Sequence, residues 1–592
     1  MRRAHPAYGV WVRGLALALF ALVLSAYAWW PALAAYPATQ IGDGQFSHQM
    51  LEATRVSIAR FHELPLWNPY QCGGIPLWDN PQGFSAAPIF LLLLPFGSTR
   101  AIELWCVVHS AIGFLCMWVL ARRELGLSRG AAVVASAMWA FAGTHNQHFT
   151  GGHIIFVSYL YGPLAVFFWR RAEHDLRMAV GLGAIVAMEI YEAGIEPLSH
   201  LAVILAAETL TRTWPPRRLL RIARAAVVVL VVAFCLSAAR LLPVIAQVLT
   251  HTRQLGREMD ALQWTTLKEM FLARAHERGV AGQAYAWTEY GDYLGPILLG
   301  LAALGIVLGG LDYLWLLALL ALAFALMAGS QGPSWPWTFL NAHVFPFKQM
   351  RVPSRFNDAV TLFLAPLAGI GIDRVARLAR RACPSRVSAE SLAGATLAIG
   401  LVGVGDLLGV NVEECRKFFS DPPSAPHLVA SPRFYIGGPD LAQFIDQPAQ
   451  NRGRAECWEE WAFERDAPIW QGDVPQARAG DSTVTVTNVV RTQNTFLFDV
   501  KAPEHPAHVR LNSTWDRGWR TSLGAVADDA ELLSVDVPQG EHHVVVRYWP
   551  RGLTVGLALT GLSSAALIAL FAWDARRRRS PRASTSRVPP PG

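Results

Sequence analysis

Gly42-Asp43-Gly44-Gln45-Phe46, Pro65-Leu66-Trp67-Asn68-Pro69-Tyr70, Gly73-Gly74-Ile75-Pro76-Leu77 and Asn80-Pro81-Gln82 punctuate the stretch from Tyr36 to Pro88. This stretch is polar, rich in Trp and Pro, and starts where an apolar run near 11–33 ends. That run is long enough to cross a bilayer, so the sequence opens as a polytopic membrane protein with a large first loop. The brief run Pro88 to Pro95 is too short to cross and reads as a half-inserted part of the loop.

Composition supports this opening. Hydrophobic residues make up 53% of the 592 and charged residues only 16%, with a mean hydropathy of +0.28. About twelve spans are expected, near 11–33, 100–121, 130–149, 153–169, 178–194, 196–211, 225–246, 292–310, 313–330, 356–373, 388–410 and 552–573. Arginine sets the orientation. Arg2-Arg3, Arg122-Arg123, Arg170-Arg171, Arg212 to Arg224, Arg374 to Arg386 and Arg576–Arg579 all fall on one side, while Tyr36–Thr99 holds only Arg55 and Arg60. Positive charge stays inside, so both termini are expected in the cytoplasm and the long loop outside. The net charge of +7 then faces anionic lipid headgroups. No zinc-finger, helix-turn-helix or RNA-binding pattern appears, which argues against nucleic acid as a partner. Among the seven cysteines, Cys383 is expected inside and Cys72, Cys415 and Cys457 outside, where a Cys415–Cys457 disulfide is one option.

Apolar periodicity stops after Asp406, and a second pattern follows. Segment 411–480 is irregular and Pro-rich. From Asp481 hydrophobic residues alternate: Val484 and Val486, Phe496, Phe498 and Val500, Val509 and Leu511, Leu533, Val535 and Val537, Val544, Val546 and Tyr548. Short alternating strands separated by turns read as a β-sandwich over 481–550, outside the membrane, followed by a last helix at 551–573 and a basic tail at 574–592. Residues 1–410, with the first loop at 34–99, form the multispanning domain. The sandwich strands hold no clustered acids, so the sandwich is expected to serve acceptor binding or stability and not chemistry.

Several polar groups gather on the outer face. Asp43 is flanked by glycines that let the backbone turn and expose its carboxylate, as a general base needs; an Asx-turn is the plainer reading. Glu189, Glu192 and Glu196 stand at helical spacing at the end of one span, where ionisable groups are expensive. His145, His148 and His153 cluster with Asn146 and Gln147, suited to hydrogen bonding and less to a metal, since no metal spacing is present. Arg351 and Arg355 bracket Pro353-Ser354, and Arg240 lies near the outer end of another span; guanidinium forks match phosphate oxygens. Trp67 is a candidate stacking platform, although most tryptophans read as an interfacial belt.

The first-loop motifs resemble those of YfhO-like bacterial membrane proteins. Arg351-Val352-Pro353-Ser354-Arg355-Phe356 resembles a further stretch of that family, as do Trp515-Asp516-Arg517-Gly518-Trp519-Arg520 and Val537-Pro538-Gln539-Gly540-Glu541-His542 ahead of the final span. The family is similar to the GT-C superfamily of multispanning glycosyltransferases, which take sugars from polyprenyl-phosphate donors. The resemblance implies a GT-C-like helical fold and a transferase in the bacterial inner membrane. Its partners would be membrane lipids, a polyprenyl-phosphate-linked sugar and an extracytoplasmic glycan, lipid or protein acceptor. It implies Asp43 as catalytic base or metal ligand, with a divalent cation, Mg or Mn, as an option. Glu192 is assigned beside Asp43 as a catalytic residue, Arg351, Arg355 and Arg240 as donor-phosphate ligands, and His145, His148, His153, Glu189, Glu196, Trp67 and Asn68 as substrate contacts. A transporter or a lipid- or glycan-handling scaffold without covalent chemistry is the alternative.

Overall fold

The computed structural model describes residues 6–212, 216–251, 260–275, 280, 282–382, 385–421, 431, 433–437, 444–458 and 467–579. Cys383, parts of the lead-in 411–480 and the tail beyond Arg579 lie outside them. Six helical stretches are long and apolar enough to cross a membrane: Phe90–Glu124, Arg217–Thr250, Trp287–Met327, Pro353–Ala382, Val387–Phe418 and Leu553–Arg577. The chain is therefore a multi-pass membrane protein. On the last helix, Leu562 and Ile568 are 72% and 70% exposed, as lipid-facing side chains are.

The segment 130–149, read from the sequence as one span, is two helices. Arg129–Ala140 ends at Phe141, and Gly143–Thr150 restarts beside it. A Cβ on Gly143 would come within 2.0 Å of the Tyr293 nitrogen, so the break lets two backbones touch. The next expected span, 153–169, is a 3-10 turn, Ile154–Tyr161, leading into the helix Gly162–Ala172. The run Pro88–Pro95 leads into a short helical stretch from Phe90 that non-helical backbone at Gly97 (φ 77, ψ 173) sets apart from the helix that follows.

The sandwich side begins with the first loop. Its helix Gly44–Ala59 is buried along most of its length. Thr39 and Gln40 pair antiparallel with the strand Phe419–Asp421, which directly follows the helix Arg386–Phe418. Two four-stranded antiparallel sheets form the sandwich. One runs Ala525–Asp529, Leu532–Val537, Ala507–Thr514, Ala477–Ala479; the other runs Trp519–Thr521, Gly540–Tyr548, Thr495–Ala502, Thr485–Arg491. The alternation fixes register: Val535 faces Val509, and Val544 and Val546 face Phe498 and Phe496.

Leu66 and Trp67 of the first loop complete the sandwich core. The Trp67 ring lies 4.6 Å from Tyr548 and 5.1 Å from Trp519. Its amide donates to Asn494 Oδ1 at 3.0 Å, and Glu63 accepts from Thr492 and Thr495 at 2.9 and 3.2 Å. A disulfide joins Cys72 to Cys457, while Cys415 is a buried free thiol. The Cys415–Cys457 pairing is thus replaced by one that staples the loop to the lead-in, because the loop folds back onto it. Loop and sandwich are one packed unit.

Candidate functional site

Asp43 is the residue before the helix Gly44–Ala59, and its side chain makes no capping hydrogen bond. The Asx-turn reading is therefore replaced by a long-range contact: Asp43 Oδ2 accepts from His153 Nε2 at 3.0 Å. The Asp43 side chain remains 59% exposed. The His153 hydrogen bond holds its carboxyl below the usual range, outweighing burial, so it is ionised at neutral pH.

Local backbone makes that contact possible. Gly152 has φ +92, and a Cβ on it would lie 1.9 Å from the Gly44 nitrogen. Only glycine both adopts this conformation and admits the start of the helix so closely. Ser47 Oγ donates to Gly152 O at 3.1 Å, and the Gln40 amide donates to Phe149 O. From the other side, Asp292 accepts from the Thr144 amide at 3.1 Å and from Thr361 Oγ1 at 2.7 Å, holding the histidine helix in place.

His153 continues inward to His148, with the two Nδ1 atoms 3.0 Å apart. Because Asp43 is a carboxylate, His153 must carry its proton on Nε2. A neutral His153 then accepts at Nδ1 from His148 Nδ1–H. That leaves the His148 Nε2 lone pair bare, and this atom is buried without a hydrogen-bond partner. Asp43, His153 and His148 thus form a directional chain along which charge on Asp43 is felt.

Arg355 organises the opposite wall. Its Nε and Nη2 donate to Glu289 at 2.7 and 2.5 Å, a two-pronged pair, and its Nη1 donates to Glu196 at 2.6 Å. Its guanidinium also lies 4.8 Å from the Phe156 ring centre. Asp43, His153, Glu196, Glu289, Arg351 and Arg355 line one cleft of about 400 Å³, with Gln82, Gln349 and Trp458 and apolar walls that include Phe46, Met50, Phe84, Ile154, Ile155, Phe156 and Met350. Two carboxylates satisfy Arg355, whereas Arg351 is exposed, with its guanidinium 5.9 Å from the Tyr285 ring centre. Glu289 is missing from the sequence reading. Its signal is an acid in Trp287-Thr288-Glu289-Tyr290, just outside a span, the same criterion that selects Glu189 to Glu196.

The remaining candidates sit elsewhere. The shared glutamate face is broken by Ala193, at φ 58. Glu192 bonds His109 at 3.1 Å and Tyr161 at 2.9 Å among the helices, away from the cleft lining. Glu189 lines a separate small cavity with His200 and Asp358. His145 is buried 4.7 Å from Trp139. Arg240 is 1% exposed and donates to Asn80 O and Gly83 O beneath the first loop. Asn68 pairs with Gln49 at 3.0 Å, and Trp67 belongs to the sandwich core. These positions give Arg240, Asn68 and Trp67 packing partners, and none of the three lines the cleft.

One ring nitrogen each from His148 and His153 and one Glu289 oxygen lie within 4.8 Å of one another. Two imidazoles and a carboxylate suit Mn or Zn better than Mg, which favours oxygen ligands. The bare His148 lone pair fits such an ion. Glu289, bound through both oxygens to Arg355, would have to share itself.

No protein-family model matches the chain, and no curated protein matches it. Among solved structures it is similar to the arabinofuranosyltransferase AftD from Mycobacteria, with TM-score 0.45 and 12% identity over 68% of this chain and 28% of that one. It is similar to the Archaeoglobus fulgidus oligosaccharyltransferase in the apo form, at 0.39 and 12% over 75% and 64% of the two chains. ArnT from Cupriavidus metallidurans bound to undecaprenyl phosphate gives 0.39 and 16% over 76% and 86%. The chain spans less than a third of the AftD chain that it matches.

Proposed function

We propose that this chain is a YfhO-like membrane glycosyltransferase of the GT-C kind. It moves one sugar from a polyprenyl-phosphate donor to an acceptor hydroxyl on the sandwich side of the bacterial inner membrane. That side is extracytoplasmic, both termini are cytoplasmic, and the shorter helices bring the membrane segments towards twelve. One observation carries the reading: an ionised, half-exposed Asp43 oriented by His153 opens onto the cleft that Arg351 also lines.

In the reaction, Asp43 takes the proton of the acceptor hydroxyl as its oxygen attacks the anomeric carbon. The bond from that carbon to the phosphate oxygen breaks, and its electron pair leaves with the polyprenyl phosphate. Arg351, two residues before the spanning stretch that starts at Pro353, meets that phosphate at headgroup depth. Arg355 keeps Glu289 and Glu196 in place and does not itself bind the donor. His148, His153 and Glu289 would hold a divalent ion, which would supply positive charge to stabilise the leaving phosphate. Asp43→Asn should lower transfer from a polyprenyl-phosphate sugar by about 10²–10⁴ with donor binding kept. Near-full activity in that variant removes Asp43 from the mechanism.

A second reading, transport, has one observation in its favour: the buried His109–Glu192–Tyr161 group among the helices. Under transport, Glu192→Gln stops substrate movement and Asp43→Asn does not.

A further inference from the structure

Trp458 is the one aromatic of the lead-in that lines the cleft among the described residues. Tryptophans in this protein are mostly membrane-boundary or core residues, yet Trp458 is 38% exposed in a loop remote in sequence from any span. Its indole stacks on Phe444, with centres 5.2 Å apart and planes at 18°. Phe444 covers one face, and the partly exposed indole contributes to the cleft wall.

The platform is rigidly mounted. Cys457, the preceding residue, is bonded to Cys72 of the first loop. Around that bond Arg454 N donates to Tyr70 O at 3.2 Å, Gly73 N to Arg454 O at 3.1 Å and Cys72 N to Glu456 O at 3.2 Å. Arg454 lies 5.5 Å from the Phe444 ring centre, closing the stack from behind. Phe444 to Gln450 packs on the helix whose first turn follows Asp43. The flat ring and the base thus rest on the same helix, joined by covalent and hydrogen-bonded struts.

A flat, immobile indole face beside amides and a carboxylate is what the two sides of a pyranose require. Its C–H face packs on the ring, and its hydroxyls reach polar groups such as Gln82 and Gln349. Asp43, His153, Glu289 and Arg351 set charged and hydrogen-bonding groups among the apolar side chains of the same cleft. The lipid-phosphate end is marked by Arg351 at the membrane boundary, so Trp458, carried by the lead-in, belongs to the other reactant. Building on the transferase reading above, we propose that Trp458 forms the acceptor subsite, and that the acceptor is a glycan presenting a pyranose ring.

The test uses full-length protein in nanodiscs with methyl glucopyranoside, galactopyranoside and mannopyranoside as probes, read by saturation-transfer NMR. Undecaprenyl phosphate binding is read in parallel by native mass spectrometry. Transfer to the C–H protons of at least one glycoside is expected in the wild type. It should fall by roughly two- to tenfold in Trp458→Ala and less in Trp458→Phe, the range expected for one aromatic contact. Undecaprenyl phosphate binding should stay unchanged in both. Equal saturation transfer in wild type and Trp458→Ala, or none to any glycoside from wild type, overturns the subsite. Absence of undecaprenyl phosphate binding in wild type sinks the transferase reading instead, whatever the glycosides do.

Discussion

Arg351 and Arg355 stand four positions apart, bracket the same Pro-Ser pair and do different work. Arg355 is held by three charge-assisted hydrogen bonds to Glu289 and Glu196. Removing it leaves two carboxylates uncompensated in a cleft wall, so Arg355→Ala should cost about 3–5 kcal/mol. Arg351→Ala should stay within about 0.5 kcal/mol of wild type and should weaken undecaprenyl phosphate binding. Melting curves in nanodiscs and native mass spectrometry separate the two; equal stability loss in both variants would refute the division. At this scale Asp43, His153 and Arg351 were legible, because sidedness and a glycine-flanked acid suffice to suggest them. Glu289 and the pairing of Arg355 were not. Which acid an arginine meets depends on three segments converging, and no spacing along the chain encodes that.

The helix from Gly44 and the short histidine helix from Gly143 form the central pair of elements. They meet at Gly152, where the backbone of one lies against the first turn of the other. Gly152→Ala combines a left-handed φ with a contact of 1.9 Å that no rotamer relieves. It should separate the His153 ring from Asp43 and cut transfer nearly as far as Asp43→Asn. A Gly152→Ala enzyme of normal rate would show that the contact is dispensable. The histidine helix also marks where reading spans from hydropathy fell short. Ala140-Phe141-Ala142-Gly143 is apolar enough to continue a span, and the sequence gives no proline to stop it. The break comes instead from the close approach of Tyr293, a tertiary contact.

Across the whole molecule, the sandwich and the first loop share a core and a buried acidic pair. Tyr548 donates to Asp79 Oδ2 at 3.0 Å, and Asp516 lies close by. Burial, reinforced by the Asp516 charge, pushes the Asp79 carboxyl up to about 8, and Asp516 is raised as well. The folded state therefore holds a proton that the unfolded chain releases near pH 4, roughly the ordinary carboxylate value. The contribution of this pair to stability should be largest at the acid end, fall as pH climbs from about 4 towards 8, and then level off. Asp79→Asn should flatten most of that slope in thermal scans between pH 5 and 9; an unaltered slope would locate the titration elsewhere. The period-two strands of the sandwich were legible as such, since alternation at 496–500 and 544–548 has few other meanings. Its union with the first loop was not. Trp67, read as a possible sugar platform, carries no mark in the sequence that it fills another element's core.

That union also sets an order of events during synthesis. Trp67 and its partner Asn494 are 427 residues apart, so the loop emerges first and must wait. At ~5–20 residues per second the wait is roughly 20–90 s, during which Leu66 and Trp67 have no core to enter. Asp43 acquires its neighbours from the nearby histidine helix much sooner, and the lead-in fastens the loop through Cys457, but Leu66 and Trp67 are covered only when the sandwich arrives. A ribosome-bound chain stopped before Asp481 should thus expose Leu66 and Trp67 to protease, whereas one released after Tyr548 should protect them. The late-made sandwich thus completes a core whose first two residues, Leu66 and Trp67, were made hundreds of residues earlier.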